Sequence, residues 1–256
     1  VNRIRHVAVV IPARNEAATI EATIDSVDEA RSQLPGEVTS SCFVVVDASV
    51  DDTGAVIERR SQRRGLRDDQ HLPTRIVEVA HGCVGAARSA GCRFALDSAR
   101  HEAGRVWLAN TDADTVVPSF WLFAQLDLAE RDVGAIAGIV ELAPDADDRV
   151  RTRFAASYEL SSDGTHRHVH GANLGVRGDA YLLAGGWRPL PTGEDHDLWL
   201  RLGRCTDQVS STAITVTTSA RTSGRAPLGF ANDIAQLMDA AAPAALTTEP
   251  GETTVA

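Results

Sequence analysis

Two carboxylates one residue apart, Asp112 and Asp114, close a mostly apolar segment that runs Val106-Trp107-Leu108-Ala109. In an extended chain such residues point the same way. In a turn they converge on one point from different sides. Two hard oxygen donors suit a divalent cation that also holds substrate phosphates. The plain alternative is a solvated turn. A second acidic pair, Glu194-Asp195, follows Gly193 at the head of a helix candidate, Glu194 to Leu202. A carboxylate there could take the proton of a hydroxyl as it attacks. Helix capping and charge complementation explain the same pair without any chemistry. A third acid, Asp47, ends the apolar run Cys42 to Val46. It could accept hydrogen bonds from an N–H or a hydroxyl, or serve only as a strand-end turn residue.

These acids need elements to position them. His6 to Ile11 reads as a buried strand ended by Pro12. Asn15 is placed to cap a helix in which Ala17, Ile20, Ile24 and Val27 recur at helical spacing. Leu34-Pro35-Gly36 breaks the chain before the strand that ends at Asp47. A helix over Thr53 to Arg64, a strand over Arg75 to Val79, a helix over Gly85 to Ala103 and the strand Val106 to Ala109 follow. Then come a helix over Pro118 to Asp132, a strand over Gly134 to Leu142, and a helix over Arg149 to Leu160. Beyond a polar loop, Ser161 to His168, lie an apolar return over Val169 to Val176 and the Glu194 helix. A strand over Val209 to Thr218, a basic Arg221 to Arg225 stretch and a helix over Phe230 to Ala241 complete the pattern. Alternating strands and helices favour a mostly parallel sheet covered by helices. Ligands then bind beyond the carboxyl ends of the strands. Asp47, Asp112 and Asp114 converge there. Ala242 to Ala256 reads as a frayed tail. No internal repeat is present.

The chain of 256 residues has a formal net charge of -10. That argues against a generic nucleic-acid surface, although a metal ion can invert the charge around a phosphate-bearing ligand. No apolar run reaches the roughly 20 residues of a transmembrane helix. Pro12 and Arg14 interrupt the first apolar run, and no cleavage site follows it, so it reads as a strand rather than a signal peptide. Cys42, Cys83, Cys92 and Cys205 are scattered, which predicts reduced thiols rather than zinc or disulfides. The expected home is the cytosol or the membrane periphery.

Taken in order, several segments resemble the family 2 nucleotide-sugar glycosyltransferases. Val9-Val10-Ile11-Pro12-Ala13-Arg14-Asn15-Glu16 is similar to their opening. Val46-Asp47-Ala48-Ser49-Val50-Asp51-Asp52-Thr53 resembles the Asp-Gly-Ser-x-Asp-x-Thr motif, and Gly85-Ala86-Ala87-Arg88-Ser89-Ala90-Gly91 the third. Asn110 to Asp114 resembles the metal motif. Gly171 to Arg177 with Gly185-Gly186-Trp187 resembles the acceptor-side segment, and Gly193 to Leu198 the Glu-Asp motif. Three departures stand out: Ala48 replaces a glycine, Ser89 replaces an asparagine, and no histidine follows His196 to serve as a late metal or phosphate ligand.

The resemblance implies a GT-A fold in one domain over 1–241. A mostly parallel nucleotide-binding sheet flanked by helices would occupy about 1–117, and a mixed acceptor-side portion 118–241. It implies inverting transfer of a sugar from a UDP-, GDP- or TDP-linked donor to an acceptor hydroxyl, with Mn2+ or Mg2+ on Asp112 and Asp114. Pro12, Ala13, Glu16, Asp47, Arg88 and Asp112 would face the nucleotide. Asp195 would be the base, with Glu194 orienting the acceptor. Asn173, Arg177, Gly186 and Trp187 would border the acceptor. Some of these have simpler readings. Glu16 could be a first-turn acid, Arg88 a surface arginine and Trp187 a core side chain. His166, His168 and His170 suggest an acceptor lid, or solvated histidines. A nucleotide-sugar-binding protein with altered catalysis, or a nucleotidyltransferase, is the rival. The latter normally wants a phosphate loop richer in glycine and basic residues than Pro12 to Ala17. A dinucleotide oxidoreductase lacks its Gly-x-Gly-x-x-Gly after the first strand.

Overall fold

In the computed structural model, which describes residues 3–65, 73–158, 160–190, 192–222 and 230–241, the first strand sets the layering. Strand β1 (His6–Ala13) is buried on both faces. Val7, Val9 and Ile11 enter one core, and Ala8 and Val10 enter the other. The period of two along a strand produces this division. Strands β2 (Thr39–Asp47), β3 (Thr74–Val79) and β4 (Val106–Asn110) join β1 in parallel, in the order β3-β2-β1-β4. Helices α1 (Ile20–Ser32) and α2 (Thr53–Gly65) contribute to the first core, α1 through Ile20, Ile24 and Val27. Helix α3 (Val84–Ser98) covers the second core with Ala87, Cys92 and Ala95. It lies close because Gly91 has no Cβ, which would stand 2.5 Å from a Val10 methyl.

Beyond β4 the sheet is mixed. Strand β7 (Leu174–Arg177) pairs antiparallel with β4 and with β6 (Ala135–Leu142). Strand β8 (Gln208–Thr218) runs parallel to β6, and the short β5 (Thr115–Val116) pairs antiparallel with β8. The eight strands follow the order β3-β2-β1-β4-β7-β6-β8-β5. Helix α4 (Trp121–Ala129) adds Trp121 and Leu122 to the first core. Helices α6 (Gly178–Leu183) and α7 (Glu194–Leu202) close the second, and α5 (Asp148–Ser157) packs with α8 (Phe230–Ala241) around Phe154 and Ile234. No helix among the described residues is long and apolar enough to cross a membrane.

Several elements differ from the sequence expectation. Asn15 does not cap α1. Its φ of 55° is left-handed, its amide oxygen accepts from Val50 N at 2.8 Å, and its own N–H donates to Ser49 Oγ at 3.0 Å. It therefore ties two loops together, and α1 starts five residues later. Strand β1 continues through Pro12 to Ala13. Helix α3 stops at Ser98 because Ala99 is extended, and α4 starts at Trp121, so Pro118 precedes it. Helix α5 is capped by Asp147, which accepts from Arg149 N and Val150 N. Strand β5 and helix α6 have no counterpart in the sequence expectation. The expected tail, and residues 223–225 of the basic stretch, lie outside the described residues.

Candidate active site

The carboxyl ends of β1, β2 and β4 open into a cavity of about 580 Å³ lined by Pro12, Ala13, Glu16, Asp47, Asp112 and Asp114 on one side. His170, Gly171, Glu194 and Asp195 line the other. Such a volume suits a small-molecule ligand.

The first wall is a laced pair of loops. Thr53 Oγ1 accepts from Glu16 N at 2.8 Å and donates to Asp51 Oδ1 at 2.5 Å; Asp51 Oδ2 accepts from Ala17 N at 3.0 Å. The Asp-x-Thr of the second motif thus fixes the loop after β1. Asp47 takes three backbone N–H groups, from His81 at 2.7 Å, Gly82 at 2.9 Å and Cys83 at 3.0 Å. A carboxylate offers about four acceptor sites, so about one remains for a ligand. The next residue, Ala48, holds φ 49°, a left-handed conformation at the position where the resemblance places glycine.

Arg88 joins the two acidic pairs. It is 2% exposed; one guanidinium nitrogen donates to Glu194 Oε1 at 2.7 Å and another to Asp112 Oδ1. Its Cζ lies over the Trp187 ring, 5.1 Å from the ring centre. Gly171 makes room: a Cβ there would fall 2.1 Å from Arg88 Nη1. Burial opposes the Arg88 charge, but Asp112 and Glu194 more than offset it and hold the guanidinium protonated. Burial pushes Glu194 up, against the pull of Arg88. Asp114 is pushed up to about 6, first by burial and then by Asp112, while Arg221 works the other way.

Asp195 forms no ion pair with Arg88, although it lies near enough to help hold that guanidinium protonated. Its oxygens accept Gly171 N at 3.1 Å and His196 N at 2.8 Å. Half-buried at the start of α7, it faces the cavity with a fixed carboxylate. Beside it, burial pushes His170 down towards the neutral form. His170 Nε2 lies 2.9 Å from the Tyr158 hydroxyl. The ring of His168 packs 4.3 Å from that of Tyr158, and His166 is buried. The three histidines are gathered around Tyr158 rather than individually solvated, and His170 is the one that lines the cavity.

The structure therefore brings Pro12, Ala13, Glu16, Asp47, Arg88, Asp112, Asp114, Glu194 and Asp195 to one cavity. It does not bring Asn173, Arg177, Gly186 or Trp187 there. Asn173 is spent inside, donating to Ile139 O and Ile214 O and accepting from Trp121 Nε1, each at 2.9 Å. Arg177 pairs with Asp179 and Asp132. Gly186, with φ 65°, sits against the Tyr181 hydroxyl, and Trp187 is 3% exposed beneath Arg88. Glu16 precedes α1 and so is no first-turn acid; it pairs with Arg221. Arg88 is no surface arginine. Arg221 is a cavity residue that the motifs leave out; its mark in the sequence is the basic stretch that it opens.

The profile of Glycosyl transferase family 2 matches residues 8–180, and the chain belongs to that family. No curated protein matches it in sequence. Among solved structures it is similar to TarS 1-349 of S. aureus in complex with UDP-GlcNAc (TM-score 0.60, 14% identity, 91% of this chain and 64% of that one). It is similar to the mannosyltransferase PcManGT from Pyrobaculum calidifontis in complex with GDP-Man and Mn2+ (TM-score 0.59, 20% identity, 86% and 58%). A third is GalNAc-T7 with UDP, GalNAc and Mn2+ (TM-score 0.61, 14% identity, 87% and 46%). The fold is that of the GT-A glycosyltransferases. The chain spans about three fifths of the length of the TarS 1-349 structures it matches.

Proposed function

We propose that the protein is an inverting glycosyltransferase that moves a sugar from a UDP-, GDP- or TDP-linked donor to an acceptor hydroxyl. What carries this reading is the convergence of Asp112, Asp114 and Asp195 on one cavity in a family 2 chain. The similar structures that hold UDP-GlcNAc, or GDP-Man with Mn2+, support it.

Asp112 and Asp114 suit a divalent cation, Mn2+ or Mg2+. Both are hard oxygen donors, both line the cavity, and Asp114 carries an energetically costly buried charge that a cation would relieve. When bound, such an ion supplies Lewis-acid stabilisation of the departing diphosphate. The rest falls to the chain. Pro12, Ala13 and the loop held by Asp47 wall the base and ribose end, and Asp47 has about one acceptor site left for the base. Glu194 is occupied by Arg88, so it positions rather than reacts. Asp195 takes the acceptor proton as the hydroxyl attacks the anomeric carbon from the face opposite the leaving diphosphate. One displacement inverts that carbon and needs no second nucleophile.

The test is single-turnover transfer with Asp195→Asn, with water as acceptor until a better one is found. General-base catalysis contributes ~10²–10⁴-fold, so the rate should fall by about that factor while calorimetry shows donor affinity unchanged. Transfer at the parent rate would place the base elsewhere. Loss of donor affinity in step with rate would put Asp195 in the nucleotide shell.

A further inference from the structure

Four carboxylates of the cavity share two arginines. Arg88 pairs with Asp112 and Glu194; Arg221 pairs with Glu16 and Asp114. Each set of two acids and one arginine has a formal charge of one minus, and the two sets together match one divalent cation. The arginines are not equivalent. Arg88 has a side chain 3% exposed, wedged between Gly171 and Trp187. Arg221 has a side chain 32% exposed and reaches in from just beyond the end of β8. Its two terminal nitrogens hold Glu16 in a fork, at 2.6 and 2.5 Å, and one of them also stands 3.1 Å from Asp114 Oδ2. The Thr218 hydroxyl bonds the other Asp114 oxygen at 3.4 Å.

Resting on the transferase reading above, we propose that Arg221 is a movable counter-cation. It shields Asp114 while the cavity is empty and turns to the donor diphosphate once a divalent ion takes Asp114. The contact of Arg221 with Asp114 Oδ2 and its fork on Glu16 carry it. A guanidinium and a metal ion compete for the same carboxylate oxygen, and their like charges repel. A planar fork that now grips a carboxylate also matches a phosphate. Glu16 is the pivot, because the bidentate pair can persist while the contact to Asp114 is given up. When the sugar leaves, negative charge grows on the diphosphate, and of the two arginines paired with the cavity's acids it is the more exposed Arg221 that can turn to answer it.

The consequence is a pair of effects of opposite sign. With Arg221→Gln, Mn2+ alone, titrated by calorimetry into the full chain, should bind about 3- to 10-fold more tightly, because its competitor is gone. UDP, GDP and TDP, titrated at saturating Mn2+, should bind about 10-fold more weakly. Arg221→Lys keeps the charge but not the fork, so it should leave Mn2+ affinity near the parent value and weaken nucleotide binding only in part. Unchanged Mn2+ and nucleotide affinity in Arg221→Gln would reduce Arg221 to a surface ion pair and overturn the proposal. Parallel weakening of both would overturn it too, by showing that Arg221 merely holds Asp114 in place. Should the parent bind Mn2+ with none of the three nucleotides, the transferase reading itself fails, and this inference falls with it.

Discussion

Replacing Arg88 with methionine should be among the most damaging single changes near the cavity, and for an electrostatic reason. Methionine keeps most of the length over Trp187 and removes the charge. Glu194 has a side chain 9% exposed and would lose a 2.7 Å partner without gaining access to water. Breaking a buried pair from one side costs about 3–5 kcal/mol. Asp112 adds little, since its side chain is 37% exposed and solvent screens it. Glu194 is already pushed up by burial, and without Arg88 it moves further up. The folded state of the variant then holds a proton more tightly than the unfolded chain. Its stability is greatest below the ordinary glutamate range and is lost as pH rises through the folded value. The deficit against the parent should therefore be about 3 kcal/mol at pH 7.5, or roughly 6–12 °C in Tm, and clearly smaller at pH 5. Urea unfolding at both pH values measures it, and repeating the substitution in Glu194→Gln isolates the pair. There the cost should shrink by roughly 1–3 kcal/mol. A deficit below about 1 kcal/mol, or one that is the same at both pH values and in both backgrounds, refutes the reasoning.

Two further outcomes follow from strain and from burial. Ala48→Gly should raise stability by about 0.5–1 kcal/mol, seen as a Tm increase of roughly 1–4 °C, because a left-handed alanine costs about 1–2 kcal/mol and glycine returns part of that as unfolded-state entropy. No gain on thermal melting would mean that the loop is not strained there. His6 is pushed down to about 4, chiefly by burial, and its ring nitrogens lie 2.8 Å from Thr39 Oγ1 and Ser41 Oγ. Its folded value lies below the unfolded one, so its stabilisation is present above about pH 6.5 and lost as pH falls through 4. After a discount for partial exposure this amounts to about 1–2 kcal/mol. Denaturant titrations at pH 7 and 4 should show that loss in the parent and not in His6→Gln, and equal losses in both would assign it to other groups.

The parallel half of the molecule was legible because its signals are local. Runs such as His6 to Ile11 and Cys42 to Val46 are buried on both faces and need no partner to be recognised as strands. Helix α7 shows the same: Glu194, Leu198 and Leu202 repeat at helical spacing, and the observed helix, Glu194–Leu202, has the limits that spacing suggests. Pairings across the chain left no such mark. Arg221 meets Glu16 across 205 positions, and Asn173 finds its backbone acceptors 34 and 41 positions away. Nothing beside those residues announces either contact.

Strand direction explains the pattern of hits and misses on the acceptor side. In a parallel sheet the carboxyl end of every strand meets the ligand edge, and β1, β2 and β4 deliver Ala13, Asp47 and, just beyond Asn110, Asp112 on that rule. Strand β7 is inverted. Asn110, the last residue of β4, lies opposite Leu174, the first of β7, while Trp107 lies opposite Arg177. The amino end of β7 is therefore at the ligand edge. Residues that precede it, His170 and Gly171, line the cavity, and Arg177 at its far end cannot. A segment read in order, Gly171 to Arg177, gives no hint of this inversion, so both of its ends look equally eligible. Strand β6 is antiparallel to β7 and β8 parallel to β6, which restores the original direction. The carboxyl end of β8 then returns to the ligand edge with Thr218 and, three residues on, Arg221. The inversion of β7 thus fixes which residues of the Gly171 to Arg177 segment reach the cavity, and the restored direction of β8 brings a late arginine to the first loop of the fold, opposite Glu16 and Asp114.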